Sequence, residues 1–334
     1  MRLPFQVAFF LIKKMNLKEL FKDSFKNRKE EYSDVITSKE INLLLENKIL
    51  KAYLPKTLGG LEYNIFEMLN LIEDAGYLNG SLGWLVQIGN GGNYFASNFK
   101  KQKVLEQFKE PHFVIAGSGT STCKAERKGE GVYIEYGTWK YCSGSNYASH
   151  FTITFDLEGK TVSALLPKND VNIVYDWNTI GMKNTSTNSI EVHNIYIPNE
   201  NLFKVYKQIN FLETPIFNLP FIVYAQGFFI HVLYGMVKRM INESGINKFD
   251  EKLKLFKEEN KEIINTCLEE NELSEKQQII FQDKYQNQAK EIKNIANCIY
   301  EKNGMKSIYI NNIISVFYLD IITICQHKLL QKSE

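Results

Sequence analysis

Few side chains in this sequence combine the type and the spacing that chemistry needs. Tyr141 and Ser143 lie two residues apart in Gly137–Ser145, so on a strand both would point to one side. An aromatic face there can pack on a flat ring while the hydroxyl bonds to the ring's edge; the plainer alternative is a core Tyr and a turn Ser. The run Gly117-Ser118-Gly119-Thr120-Ser121-Thr122 is all glycine and small hydroxyl residues. Backbone N–H groups in such a run can approach a ring or a phosphate, although an ordinary loop reads the same way. It is not a G-x-G-x-x-G dinucleotide fingerprint, because no helix or βαβ unit follows. His327 has Asp320 seven residues before it, on one helical face. An imidazole there can polarise a hydroxyl or hold a proton near neutral pH, or be a plain surface or core His. Asn93 is a further candidate, able to hydrogen-bond but not to titrate. Among the remaining histidines, His112 precedes a strand, His150 ends a turn and His193 alternates outward. His231, on an apolar helix, reads as a satisfied core residue. No two of the five have metal-ligand spacing.

Three stretches must position these residues, and their hydrophobic periods differ. From Asn16 to about Glu110 the period is helical. Thr37-Ser38-Lys39-Glu40 is a capping box ahead of Ile41, Leu44 and Leu45. Gly59-Gly60 makes a turn, and Ile65, Leu69, Ile72 and Ala75 mark a second helix. A third begins near Ser81, a candidate cap, ahead of Trp84. From Phe113 to Pro198 the period is two. Runs at Phe113–Ser118, Val132–Tyr136, Phe151–Phe155, Val162–Leu166, Val171–Tyr175 and Ile190–Ile197 predict short strands of a sandwich or barrel. From about Thr214 onward four long helical segments are predicted, about 215–243, 248–271, 274–302 and 305–331, with Gly304 as a C′ glycine. Four long helices with short links predict an antiparallel bundle. The charge-rich stretch from Lys252 to Lys302 reads as a solvated hairpin or a subunit contact.

The bulk numbers exclude several classes. With 334 residues, 44% of them apolar, the chain suits two or three packed modules. A net charge of +2 and no basic stripe argue against nucleic acid as a partner. Five widely spaced cysteines, with no CxxC, argue against a disulfide framework or a zinc site and fit a reducing cytoplasm. Met1 to Met15 carry an apolar run without a small-residue cleavage pattern and read as a start-site extension, with Met15 as the effective start. Ile216 to Val237 lacks Asp, Glu, Lys and Arg, yet Asn218, Pro220, Gln226 and His231 suit a buried helix better than lipid.

A set of landmarks then falls in order. Leu54-Pro55-Lys56-Thr57-Leu58-Gly59-Gly60-Leu61 is similar to a "P…yGG" turn. Gly80-Ser81-Leu82-Gly83-Trp84 is similar to a "d-x-S-x-a-W" helix start, and Gly137–Ser145 to "G-x-W-x-f-x-S-G". Trp177, Gly181-Met182-Lys183 and Thr185-Ser186-Thr187 follow "W…G-m-r-x-T-x-S". Val192–Pro198 matches a strand ending "d-v-x-V-P", and Leu319 to His327 matches "R-D-i-x-t-a-x-q-H". Together, over roughly residues 40 to 330, these resemble the acyl-CoA dehydrogenase superfamily, nearest its flavin-dependent monooxygenase branch, the oxygenase components that use reduced flavin.

That resemblance implies an α+β, acyl-CoA dehydrogenase-like fold. It would have an N-terminal helical domain (1–110), a middle β-barrel or sandwich domain (111–205) and a C-terminal antiparallel four-helix bundle (206–334). It implies FAD or FMN as cofactor, with reduced flavin as a possible co-substrate, held by Gly117, Ser118, Tyr141, Cys142 and Ser143. In the family a hydroxyl at the Ser143 position bonds the flavin edge, an aromatic at the Tyr141 position stacks, and a His at the His327 position meets the substrate or the reacting oxygen. His327, Ser143 and Asn93 form the expected catalytic set. Three departures stand out. The stretch Gln87–Asn93 holds no His, where the oxygenase branch carries a second one. Phe317-Tyr318-Leu319 replaces the Arg expected before Asp320, and the Y-E-G-T catalytic glutamate motif is missing. No NAD(P)H fingerprint is visible, so electrons are expected from a partner reductase or other electron-transfer protein. The expected partners are therefore a small-molecule substrate, such a reductase and further copies of the chain in a homo-oligomer, with no nucleic acid and no membrane. An acyl-thioester flavoprotein dehydrogenase, or a non-catalytic relative keeping the fold for ligand binding or assembly, are the alternatives.

Overall fold

A computed structural model describes residues 15–332 apart from 26, 29–30, 208, 210–211, 213 and 271–272. The expectation for Met1 to Lys14 lies outside the described residues.

The first helical stretch forms α1 (Ser38–Glu46), α2 (Ile65–Leu78), α3 (Gly80–Gly91) and α4 (Gln102–Gln107). The capping box holds: the Thr37 amide donates to Glu40 Oε2 at 2.9 Å. Helix α3 is capped two residues earlier than expected, by Asn79 rather than Ser81, with Asn79 accepting from the Leu82 amide at 2.9 Å. Ser81 is buried.

The middle stretch forms β1 (Ile115–Lys128), β2 (Gly131–Cys142), β3 (His150–Leu157), β4 (Lys160–Pro167), β5 (Asn172–Val174), β6 (Asn188–Pro198) and β7 (Leu202–Phe203). Among the described residues these make a seven-stranded sheet of order β5-β6-β2-β1-β3-β4-β7. Neighbours are antiparallel except β1 and β3, which run parallel from Ile115 opposite His150. All six expected strands are present. The expected Gly117–Thr122 loop is instead part of β1, at two register irregularities that leave Gly119 to Thr122 exposed. The sheet keeps its own apolar core around Trp139, Phe151, Phe155 and Ile190. The Trp139 indole donates to the Thr154 carbonyl at 2.8 Å, tying β2 to β3 across that core.

The last stretch forms α5 (Phe221–Ser244), α6 (Asp250–Glu269), α7 (Glu275–Lys302) and α8 (Ile313–Ile324). Helix α5 is long and apolar enough to cross a membrane by composition, but 83% of that window is buried in the protein, as expected of a core helix. It lies so close to α2 that a Cβ on Gly235 would overlap the Glu73 carbonyl, and one on Gly76 would come within 2.6 Å of the Val232 carbonyl. The final expected helix is shorter than read. A 3-10 turn at Gly304–Ile308 precedes α8, and another at Lys328–Leu330 follows it. Gly304 has φ of 61°, the left-handed value expected of a C′ glycine.

Candidate active site

The site is built where α3, the end of β2, the 177–187 segment and the turn after α8 meet. Strand β2 is irregular between Trp139 and Cys142 in its pairing with β6, and Tyr141 sits there with φ of 67°. Such a bulge breaks the alternation of side chains. Tyr141 therefore points outward, 70% exposed, while Ser143 turns inward and is 5% exposed. The expected shared side for Tyr141 and Ser143 is corrected by this bulge. Cys142 is also buried and faces the β core, its thiol pushed up to about 12 by burial. Tyr141 has the Trp177 ring as an edge-on neighbour at 6.5 Å.

Ser143 anchors a chain of short hydrogen bonds. The Trp84 indole donates to Ser143 Oγ at 2.9 Å. Ser143 and Thr187 hydroxyls lie 2.9 Å apart, and Thr187 and Thr185 hydroxyls 2.7 Å apart. Thr185 donates to the Met182 carbonyl at 2.8 Å, which also accepts from the Trp177 indole at 2.8 Å. The Met182 amide in turn donates to the buried Asp320 carboxyl group on α8. Met182 and Ser186 have φ of 56° and 47°. With Tyr141 that gives three non-glycine residues in left-handed backbone around one serine, a concentration of strain typical of functional sites.

His327 reaches the same corner. It does not sit on the last helix, which ends at Ile324. It caps the following 3-10 turn, its Nδ1 accepting from the Leu329 amide at 3.2 Å. The neutral ring therefore carries its proton on Nε2. The imidazole packs 4.7 Å from the Phe229 ring and 5.9 Å from Trp84, and Phe229 lies 4.9 Å from Trp84. Burial lowers the His327 pKa to about 4. Asp320 does not share a wall with His327, because it is buried against Gly80 and the Gly181–Met182 backbone.

The remaining expected residues are spread out. Asn93 is buried, its amide nitrogen donating to the Leu50 carbonyl at 2.7 Å and the Gly89 carbonyl at 3.4 Å, and no contact joins it to Ser143 or His327. Gly117 is required by strand packing, since a Cβ there would overlap Thr152, while Gly119 faces open space. Ser118 is half-buried, and its carbonyl accepts from Thr154 at 3.4 Å. His231 is not satisfied as expected. Neither ring nitrogen has a hydrogen-bond partner, and the Glu73 carboxylate stands 3.7 Å away. Sequence reasoning missed Phe229 and the linking role of Thr185 and Thr187, although the alternation of Thr185 and Thr187 was a usable signal.

These residues fit the edge of a flavin. Ser143 keeps one lone pair uncommitted, Tyr141 offers an exposed ring, and the irregular edge of β1 from Gly119 to Thr122 is open. No acidic side chain takes part in the Trp84–Ser143–Thr187–Thr185 chain.

The comparisons agree on a class: flavin-dependent monooxygenases, in several cases their oxygenase components. Indole-3-acetate monooxygenase of Acinetobacter baumannii is 26% identical over 202 residues, 58% of this chain and 51% of that protein. The oxygenase component of p-hydroxyphenylacetate 3-hydroxylase from the same species is 24% identical over 219 residues, 62% of this chain and 52% of that protein. The chain thus spans about half the length of the curated relatives it matches. No family model matches it. Among solved structures, XiaF from Streptomyces sp. in complex with FADH2 superposes with a TM-score of 0.77 at 15% identity, over 90% of this chain and 86% of that one. TdsC from Paenibacillus sp. A11-2 with FMN and indole gives 0.74 at 15% identity, over 89% and 88%. The fold is therefore the acyl-CoA dehydrogenase-like monooxygenase fold, α+β with a central sheet.

Proposed function

We propose that this chain is the oxygenase component of a flavin-dependent monooxygenase. It takes reduced FMN or FAD from a separate reductase and inserts one oxygen atom into a small aromatic substrate such as a phenol or an indole. The observation that carries this reading is the convergence of Trp84, Ser143 and His327 from three separate stretches of chain. The bound flavin would supply the reducing electrons and the contact with oxygen. The chain's own residues do the rest. Ser143 meets the flavin edge, and Phe229 and Trp84 exclude water. His327, neutral above about pH 4, holds a proton on Nε2 facing the reacting centre. Relatives named for indole-3-acetate and p-hydroxyphenylacetate, and the indole bound to TdsC, support the substrate class. The residue boundaries 1–110, 111–205 and 206–334, a cytoplasmic location and a homo-oligomer built on the C-terminal helices belong to the same proposal.

The test supplies a flavin reductase, NADH, FMN or FAD, and a panel of phenols and indoles, and looks for products heavier by one oxygen atom. Ser143→Ala should weaken the binding of reduced flavin up to about tenfold without unfolding the protein, the worth of one hydrogen bond. Absence of any flavin binding, or identical titrations for Ser143→Ala and the parent, refutes the assignment of this site.

A further inference from the structure

The hydroxyl chain at Ser143 has a fixed direction, and it follows from counting protons. A carbonyl oxygen only accepts, so the one Thr185 hydroxyl proton goes to Met182 O. Thr185 Oγ1 can then only accept from Thr187, at 2.7 Å, which uses the one Thr187 proton. Thr187 Oγ1 can in turn only accept from Ser143, at 2.9 Å, which uses the one Ser143 proton. The Trp84 indole is a donor only, so Ser143 Oγ also accepts from it at 2.9 Å. Ser143 is left with no proton to offer and one lone pair to share. Chemistry at the flavin N5 position divides on this point. Oxidised flavin presents a bare nitrogen that only accepts, whereas reduced flavin presents an N–H that donates.

We infer that Thr185 and Thr187 are positioning residues that lock the Ser143 hydroxyl as an acceptor and so make the site select reduced over oxidised flavin. The inference rests on the flavin reading above and names two residues through which that selection is made. An acceptor opposite the bare N5 of oxidised flavin sets two lone pairs against each other, while the N–H of reduced flavin completes the chain. The Met182 carbonyl that terminates the chain is itself held, because the Met182 amide is bonded to buried Asp320 and the same carbonyl also receives the Trp177 indole. The chain cannot reverse while those contacts stand, since its last acceptor has no proton to give.

The experiment is anaerobic titration of the protein with oxidised FMN and with dithionite-reduced FMN, read by flavin fluorescence or equilibrium dialysis. Parent protein should bind reduced FMN at least about tenfold more tightly. Thr187→Val keeps the shape but removes the acceptor for the Ser143 proton, which is then free to point at N5. The ratio of affinities should fall roughly three- to tenfold, mainly through tighter binding of oxidised FMN, the range one hydrogen bond covers. Thr187→Ser retains the hydroxyl and should restore the parent ratio, which a merely structural role for Thr187 would not produce for binding preference. Thr185→Val, which releases the chain one link further on, should lower the ratio as well and serves if Thr187→Val fails to fold. A parent without preference, or folded valine variants that keep the parent ratio, overturns the inference while leaving flavin binding intact. Failure of the parent to bind either form overturns the flavin reading and this inference together.

Discussion

Asp320 offers a prediction whose size can be worked from the structure. Its carboxyl is 3% exposed on α8, accepts from the Met182 amide and lies against the Gly80 backbone. Burial raises its pKa from 3.8 to about 7, with the nearby Asp34 pushing the same way and the Met182 hydrogen bond opposing. The folded state thus holds a proton that the unfolded chain gives up. Below the unfolded pKa both states are protonated and the group costs nothing. As pH rises from there toward about 7, the unfolded state is favoured by about 1.4 kcal/mol per unit, levelling at about 4 kcal/mol once the folded carboxyl also ionises. Asp320→Asn removes this titration. The variant should therefore gain on the parent by about 3 kcal/mol between roughly pH 5 and pH 8, whatever the constant offset from its new amide group. Urea unfolding of both proteins at the two pH values measures the difference of differences, so other titrating groups cancel. A gap that stays constant within about 0.5 kcal/mol refutes the buried, protonated carboxyl and with it the anchoring of the 181–187 segment by α8.

Two further outcomes follow from the same geometry. His327→Asn should leave flavin binding near the parent value and raise hydrogen peroxide released per reduced flavin consumed by severalfold, because the imidazole proton on Nε2 is lost from the corner formed with Trp84 and Phe229; unchanged coupling in a peroxide assay during stopped-flow reoxidation would remove His327 from the chemistry. Gly235→Val should destabilise the protein by more than about 3 kcal/mol, since a Cβ there overlaps the Glu73 carbonyl of α2 and neither helix backbone can yield cheaply; a melting temperature within a degree or two of the parent would contradict the close packing of α2 on α5.

Most of the architecture was legible because it rests on periodicity. The six strands and three of the four C-terminal helices were readable as runs of period two or 3.6, and the Thr37 box as a local pattern of hydrogen-bonding side chains. Helix ends were less legible. Asn79 takes the cap from Ser81 because it lies at the junction of α2 and α3, where its amide also reaches Tyr32 and Asp34. The start of α8 was misplaced because the chain between Gly304 and Asn312 is held by contacts that a period count does not show, among them the Tyr32 amide donating to the Asn311 carbonyl from far along the chain.

The site shows why residue types were easier to read than directions. Ser143 and His327 were singled out by residue type and by the family resemblance, and the structure brings both of them to Trp84. Their orientation was misread in both cases for one reason: each sits just past the end of a regular element, where period arguments stop. Tyr141 in left-handed backbone turns β2 over, so the residue expected to share Ser143's side faces away from it. His327 leaves the helix three residues after Ile324, and so separates from Asp320. That separation gives the two residues different work. Freed from the helix, His327 can meet Trp84 and Phe229, while Asp320, left behind on α8, grips the Met182 amide. The C-terminal stretch thereby reaches this corner twice, once through an imidazole packed against Trp84 and Phe229 and once through a carboxyl that holds the Met182 amide. Met182 is the joint between them: Asp320 on α8 holds its amide, and its carbonyl is the acceptor that ends the Ser143–Thr187–Thr185 chain.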